Sequence, residues 1–79
     1  MYYVYLIECG DKSIYTGITT DLIRRFKEHK AGIGSRYTKA KKVNKILHTE
    51  KFKTRREALR REAQIKSWSR TKKLELIKR

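Results

Sequence analysis

After the first methionine, the longest continuous apolar run in this chain is only six residues, Tyr2 to Ile7, and this run limits the fold more than any other feature. The segment from Tyr2 to Glu8 is rich in aromatic and branched residues and is apolar on both alternating faces. Such a pattern is typical of a strand that is covered on both sides. The run is far too short to cross a bilayer. We therefore predict that it forms the central strand of a small sheet.

Turn-forming residues follow this strand and indicate a hairpin. Gly10 to Lys12 has turn chemistry, and Ser13 to Ile18 alternates again. If the loop holds three residues, both Tyr5 and Tyr15 project from one face, because the opposed pairs are Tyr5 with Gly17 and Tyr15 with Ile7. A two-residue loop would place the two tyrosines on opposite faces. A joint role of the tyrosines thus depends on the three-residue loop, in which Gly17 also leaves space beside the Tyr5 ring.

A short helix is predicted next, with polar residues on its inner face. Thr20 and Asp21 are good helix starters, and the pattern is helical from Leu22 to about Lys30, before two glycines. Its core-facing stripe, at positions i, i+3, i+4 and i+7, consists of Leu22, Arg25, Phe26 and His29. We expect a functional role for Arg25. For His29 a functional role, the capping of a carbonyl and stacking against Tyr37 all remain open.

Charge and length restrict the function. With 22 Lys and Arg against eight Asp and Glu, the net charge is +14, which causes strong self-repulsion unless the chain meets a polyanion. We expect nucleic acid as the partner, DNA rather than RNA, and no membrane. The 79 residues suffice for one modest core, so we expect a single domain over residues 1–79. No segment resembles a secretory signal, so we expect a cytoplasmic protein.

The lone cysteine and a basic segment were interpreted separately. Cys9 cannot form an internal disulfide or a thiolate zinc cluster, and we expect a packed or half-exposed thiol. Gly32 to Lys42 is predicted to be an exposed, mobile loop that touches nucleic acid, with Tyr37 stacking on a base. A merely solvated basic loop is the alternative. The predicted nucleic-acid contacts, in the first helix and in this loop, are Arg24, Lys27, Arg36, Tyr37, Lys39, Lys41 and Lys42.

The second half of the chain predicts one strand and two helices. Val43 to Phe52 alternates weakly and is predicted to be a third strand that pairs with the hairpin. Thr54 and Glu57 form a capping box, so a helix is expected from near Arg55 to about Trp68. Ser69 is predicted to cap a short last helix.

One carboxylate of the long helix is out of place. Glu62 lies in the middle of an apolar sector formed by Ala58, Leu59, Ala63 and Ile65. Burial of an unpaired carboxylate is costly. Glu62 is therefore expected either to pair with a base such as Arg25 or to bind a cation.

These motifs resemble the GIY-YIG nuclease family over nearly the whole chain. The resemblance rests on Tyr5 in Tyr3-Val4-Tyr5, on Tyr15 in Tyr15-Thr16-Gly17 and on Arg25 and His29 in the following helix. It is closest to small single-domain members. Tyr3 stands where the family usually has glycine, and Val4 and Thr16 stand where it has isoleucine. Many members also carry an asparagine after the glutamate helix, and residues 66–79 contain none.

The resemblance implies an α/β fold with a three-stranded antiparallel sheet flanked by three helices, in the order β-β-α-β-α-α. It implies that Glu62 binds one Mg²⁺ or Mn²⁺, that Gly17 is structural, and that the catalytic residues are Tyr5, Tyr15, Arg25 and His29. Tyr5 would be the general base, although ionising a phenol of pKa ~10 at neutral pH requires a shift of about 3 units, roughly 4 kcal/mol. Nearby cations favour the phenolate and burial opposes it, and the sequence leaves the balance open.

The implied function is metal-dependent endonucleolytic hydrolysis of DNA phosphodiester bonds, with a role in DNA repair or recombination. Because the chain has no helix-turn-helix or zinc finger to read bases, we expect structure-selective or nonspecific action. The alternative is a non-catalytic DNA- or RNA-binding module on the same fold, in which the tyrosines are core aromatics.

Overall fold

A computed structural model describes residues 1–34 and 36–78, except for the side chains of residues 37 and 38. Along the chain, the strands and helices follow the order β-β-α-α-β-α-α. Their bounds are β1 Tyr2–Cys9, β2 Ile14–Thr19, α1 Leu22–Lys30, α2 Arg36–Lys41, β3 Val43–Phe52, α3 Arg55–Lys66 and α4 Arg70–Ile77. No helix in this part of the chain is both long and apolar enough to cross a bilayer.

The strands form one antiparallel sheet in the order β2-β1-β3, so the apolar first strand is central, as predicted. Tyr5 lies opposite Gly17, and Ile7 lies opposite Tyr15. The turn is closed by a 2.9 Å hydrogen bond from the Cys9 amide to the Ser13 carbonyl. This is the register of the three-residue loop, and it places both tyrosines on the same face.

Two irregularities in the pairing of β1 with β3 explain the weak alternation of β3. Leu6 pairs with His48 while Ile7 pairs with Ile46, and a second shift follows between Glu8 and Cys9. Each shift lets an extra residue of β3 bulge out of the ladder, so the face to which a given residue of β3 points changes along the strand. The apolar pattern of β3 therefore lacks a constant period of two.

Helices cover both faces of the sheet. On the face of Tyr5, the apolar contacts come from β1, β2, β3 and α1, and comprise Tyr5, Ile7, Val43, Tyr15, Leu22, Phe26 and Ile46. On the opposite face, α3 and α4 pack on the sheet around Val4, Leu6, Ala58 and Ile65. Cys9 is fully buried, which agrees with a packed thiol, and burial raises its pKa. Thr16 is also buried, and its hydroxyl has no hydrogen-bond partner among the described residues.

The helix starts follow their predicted caps. The Asp21 carboxylate accepts a 3.0 Å hydrogen bond from the Arg24 amide at the start of α1. The Thr54 hydroxyl accepts from the Glu57 amide at 3.2 Å, as the capping box requires. Ser69 caps α4 by accepting from the Lys72 amide at 3.3 Å.

Three details differ from prediction. The segment predicted to be a loop over Gly32 to Lys42 contains the additional helix α2, which ends where Lys42 adopts a left-handed φ of 59°. Helix α3 ends at Lys66 and not near Trp68, because Ser67 caps it and the next cap follows at once. Ala63 is exposed, since it lies nearly opposite Ala58 around the helix. The predicted sheet and the remaining order of strands and helices are confirmed.

Candidate active site

The site is centred on a hydrogen bond between a strand tyrosine and a helix histidine. The Tyr5 hydroxyl oxygen lies 2.9 Å from Nε2 of His29. Both side chains are buried, with Tyr5 2% and His29 1% exposed. The inward stripe of α1 thus brings His29 to Tyr5. The side chain of Tyr37 lies outside the described residues.

Tyr15 packs against the same histidine. Its ring centroid is 5.3 Å from that of His29, in an edge-on arrangement, and 6.4 Å from that of Tyr5. The centroids of Tyr5 and His29 are 5.8 Å apart. The hairpin register therefore assembles a cluster of three rings, and Tyr15 is its half-buried member.

Arg25 lies beside this cluster, one helical turn before His29. Its guanidinium donates to the Glu28 carboxylate at 3.1 Å and to the Gly34 carbonyl at 2.6 Å. A hydrogen bond with Tyr5 and the ion pair with Glu28 raise the pKa of Arg25. Its side chain is 29% exposed, so a cation at the edge of the cluster remains accessible from solvent.

Burial decides the charge state of the pair. The pKa of Tyr5 is raised, because the desolvation of a phenolate outweighs the hydrogen bond from Arg25 that favours it. The pKa of His29 is lowered, first by burial and then by the nearby charge of Arg25. Both groups are consequently neutral at neutral pH. At Tyr5, nearby cations lower the pKa of the phenol and burial raises it, and burial has the larger effect.

Two glycines make room for this pair. A Cβ atom on Gly17 would lie 2.5 Å from Cζ of Tyr5, so the phenol occupies the space that a side chain would fill. A Cβ atom on Gly34 would lie 2.7 Å from Cγ of His29. Sequence reasoning assigned the Gly17 role but took Gly34 only as a helix terminator. A second glycine so soon after Gly32, which already ends α1 with a φ of 81°, was the signal that pointed to a further role.

Glu62 lies on α3, in the layer on the other side of the sheet from α1. Its side chain is 15% exposed, and its carboxylate is 3.5 Å from the Lys66 ammonium. Of the two expectations for Glu62, pairing with a base or binding a cation, the structure shows pairing with a base. The base is Lys66, one turn along α3, and not the example Arg25, which bonds Glu28 and Gly34. The charge of Glu62 still contributes to raising the pKa of Tyr5, so the two groups are close enough to interact electrostatically.

The donor set fits only one kind of metal site. Among the described residues no group of three or more His, Cys, Asp or Glu could hold a metal ion, which argues against a resident, protein-caged metal. Mg²⁺ commonly uses one or two carboxylates and takes its remaining ligands from water and substrate phosphates. A single, mostly buried carboxylate such as that of Glu62 fits a cation bound together with a phosphate.

The predicted nucleic-acid contacts lie mostly in solvent. Five of them are exposed, on α1, on α2 and just after α2, namely Arg24, Lys27, Arg36, Lys39 and Lys42. Lys41 is also exposed but forms a 2.7 Å ion pair with Asp11 in the β1–β2 turn. The helix α2 therefore presents lysines beside the site on a regular scaffold and not on a loop.

Comparison with known proteins identifies the family. A family model described as the GIY-YIG catalytic domain matches residues 1–75. A UPF0213 protein of Haloquadratum walsbyi is 51% identical over 75 residues, which cover 95% of this chain and 84% of that protein. A UPF0213 protein of Staphylococcus haemolyticus is 43% identical over 76 residues, which cover 96% and 93% of the two chains.

A solved structure agrees with the fold. The solution NMR structure of a UPF0213 protein from Bacillus halodurans is similar with a TM-score of 0.63 and 43% identity, over 99% of this chain and 84% of that one. The names of these relatives state no activity, so they support the family and the fold. Since the family model covers nearly the whole chain, this protein belongs to the GIY-YIG catalytic domain family, a family of nucleases.

Proposed function

We propose that this protein is a metal-dependent endonuclease that hydrolyses DNA phosphodiester bonds. The observation that carries the proposal is the buried 2.9 Å contact between the Tyr5 hydroxyl and His29, with Arg25 at its solvent edge. A nucleophile activator held by a second proton acceptor is the arrangement expected for general base catalysis. A core that merely needed aromatic packing would not require a histidine in hydrogen-bond contact with the phenol.

The neutral state of both groups suggests a proton relay. A neutral imidazole has one acceptor nitrogen, so the Tyr5 hydroxyl can donate its proton to Nε2 of His29, whereas Arg25 can only donate and cannot accept that proton. As water attacks phosphorus, its proton passes to the Tyr5 oxygen, and the Tyr5 proton passes to His29. No free phenolate forms in this step, so the roughly 3-unit shift in pKa that a lone tyrosine base would need does not arise. The bond from phosphorus to the leaving oxygen breaks, and that oxygen takes a proton from solvent.

The other residues stabilise and orient. Arg25, with five donors, retains capacity to bond the non-bridging phosphate oxygens where negative charge develops. Tyr15 holds the His29 ring by edge-on packing and is close enough to orient the attacking water. Glu62 would hold one Mg²⁺ or Mn²⁺ together with the substrate phosphate, and such a cation neutralises phosphate charge when bound.

The exposed cations of α1 and α2 support DNA as the substrate, with Arg24, Lys27, Arg36 and Lys39 as phosphate contacts. No base-reading motif accompanies them, which favours structure-selective or nonspecific cleavage. The proposal also includes that residues 1–79 act as one domain, that the protein is cytoplasmic and that it has a role in DNA repair or recombination.

The experiment is cleavage of single-stranded, duplex and branched DNA with Mg²⁺ or Mn²⁺, against EDTA. We expect Tyr5→Phe to lower the rate by about 10² to 10⁴-fold, the range for a lost general base, and Glu62→Ala to abolish cleavage because the proposed cation ligand is lost. The matched controls are Tyr2→Phe, on the opposite face of the same strand, and Glu75→Ala, an exposed carboxylate of α4. Binding without cleavage, or cleavage that survives both site substitutions, would instead support the non-catalytic binding module.

A further inference from the structure

The helical layer formed by α3 and α4 carries a positive charge that the proposed site does not use. Residues 53–78 hold ten Lys and Arg against three Glu. Within the described part of the chain only two of these ten cations, Arg61 and Lys66, form an ion pair. One of the three carboxylates, that of Glu57, is engaged with the Thr54 cap at 2.9 Å. This layer thus keeps a large excess of charge without internal compensation.

The excess is concentrated on the outer side of the layer, which we call the α3–α4 surface. Its exposed cations include Arg55, Arg56, Arg60, Lys72 and Lys78. Arg56 and Arg60 are spaced i, i+4 on α3, away from the buried Ala58 and Ile65. Like charges at this spacing destabilise a helix. A partner that neutralises them would remove the repulsion.

The surface also offers an aromatic ring beside two cations. The Trp68 ring has the Lys72 ammonium 4.6 Å and the Arg61 guanidinium 5.1 Å from its centroid. A cavity of about 190 Å³ between α3 and α4 is lined by these three side chains with Glu75 and Leu76. Arg61 is fixed by two bonds to Glu50, at 2.8 and 3.1 Å, whereas Lys72 is exposed and can turn towards a phosphate. Cations interleaved with an aromatic side chain are a common nucleic-acid contact.

One DNA segment at the proposed site would leave this surface charged. The α1 and α3–α4 layers lie on opposite faces of the sheet, and even the shortest principal extent of the molecule is 19 Å. The Debye length at physiological salt is about 8 Å, so phosphates bound on one layer are screened from cations on the other. Phosphates bound on one layer therefore leave the cations of the other layer available to a separate stretch of phosphate backbone.

We propose that the α3–α4 surface binds a second DNA segment while a first segment occupies the face of Tyr5, Arg24 and Lys27. One protein molecule then holds two duplexes, or two arms of one substrate, on opposite sides of its sheet. The inference rests on the proposed binding of DNA at the face of Tyr5, but it does not rest on cleavage, because the second contact depends on charge.

The test uses two measurements, both in EDTA so that cleavage does not interfere. Sedimentation counts the duplexes bound per protein. Energy transfer between a donor-labelled and an acceptor-labelled duplex reports whether one particle holds both. We expect particles of one protein with two duplexes. The double variant Arg56→Gln with Arg60→Gln should lose energy transfer, and the salt slope of the second binding step should fall by about 2, near 0.9 for each lost phosphate contact. The matched control is Arg24→Gln with Lys27→Gln, which removes the same charge from α1 and should weaken the first step.

Three results would overturn the inference. Binding of a single duplex by the wild-type protein at every concentration would exclude a second surface. Equal weakening of both binding steps by the double variant at Arg56 and Arg60 would mean one continuous surface. Particles of two proteins with two duplexes would assign the joining of duplexes to self-association. Thermal unfolding of the variants checks their folding, and loss of the like-charge pair is expected to leave stability unchanged or higher.

Discussion

Substitution of Gly34 by alanine perturbs the centre of the site from the backbone side. The added Cβ would lie 2.7 Å from Cγ and 2.8 Å from Cε1 of His29. Optimal carbon contacts are about 3.5 to 4.0 Å, so the ring has to move by roughly 1 Å. His29 is 1% exposed and is already in contact with Tyr5 and Tyr15, so the movement is made at the expense of the 2.9 Å bond to Tyr5. We expect a loss of stability of about 1 to 3 kcal/mol, as for other overpacked sites.

The effect on cleavage is expected to be larger than the effect on stability. A displacement of about 1 Å in a catalytic group costs about 10²-fold in rate. Backbone strain does not contribute, because among the described glycines only Gly32 has a positive φ. Gly34→Ala should therefore fold at moderate cost and cleave poorly.

Urea unfolding of four proteins separates the contact from other effects. They are the wild type, Gly34→Ala, His29→Ala and the double variant. If the loss of stability arises from the His29 ring, Gly34→Ala should be nearly neutral in the His29→Ala background. The coupling energy between the two substitutions should then equal the loss expected for Gly34→Ala alone, about 1 to 3 kcal/mol. An equal loss of stability in both backgrounds would refute the role of Gly34 as a residue that positions His29.

Three further predictions concern buried polar groups. Thr16→Val removes a buried hydroxyl that has no hydrogen-bond partner among the described residues. The substitution should raise the free energy of unfolding by about 1 to 2 kcal/mol in a thermal unfolding assay. A loss of stability would mean that the hydroxyl does form a hydrogen bond. Folding lowers the pKa of His29 below 6.5, so the stability that its neutral form contributes is complete above pH 6.5 and is lost as the pH falls below that value, by up to ~1.4 kcal/mol per pH unit. His29→Asn should flatten this pH dependence of the free energy of unfolding, measured by urea titration. An unchanged slope would contradict the prediction. Arg61 lowers the pKa of Glu50 and joins α3 to β3. Arg61→Ala should lower the free energy of unfolding by about 1 to 3 kcal/mol in chemical unfolding, whereas the control Arg60→Ala, at an exposed position, should change it by no more than about 0.5 kcal/mol. Equal losses in the two variants would contradict a specific role of Arg61.

Local signals were sufficient to predict most of the fold. Helix starts were readable because Asp21, Thr54 and Ser69 are side chains that cap amides two or three positions ahead. Parity gave the hairpin register for each loop length, but the sequence left two-residue and three-residue loops open, and the structure shows the three-residue loop. Helix α2 was missed because its end depends on Lys42 adopting a left-handed conformation, which lysine composition does not signal.

Sequence reasoning went less far at the candidate site. The i, i+3, i+4, i+7 stripe placed Arg25 and His29 inward, and parity placed Tyr5 and Tyr15 on one face. Their mutual distances, the neutral state of the Tyr5 and His29 pair and the contact with Gly34 depend on how α1 docks against the sheet. Such docking is determined by packing between distant segments, and no local pattern encodes it. Which base pairs with Glu62 was left open for the same reason.

The central position of β1 has a consequence for synthesis of the chain. β1 pairs on one side with β2, which ends at Thr19, but its other partner, β3, is complete only at Phe52. Its α3-side face is covered by helices that end as late as Ile77, and Arg70 bonds the Lys12 carbonyl in the first turn at 3.1 Å. A lone two-stranded hairpin is marginal in water. Tyr5, Tyr15, Arg25 and His29 therefore leave the ribosome early, yet they acquire a stable arrangement only when nearly all of this sequence has been translated, so the candidate site forms late in synthesis.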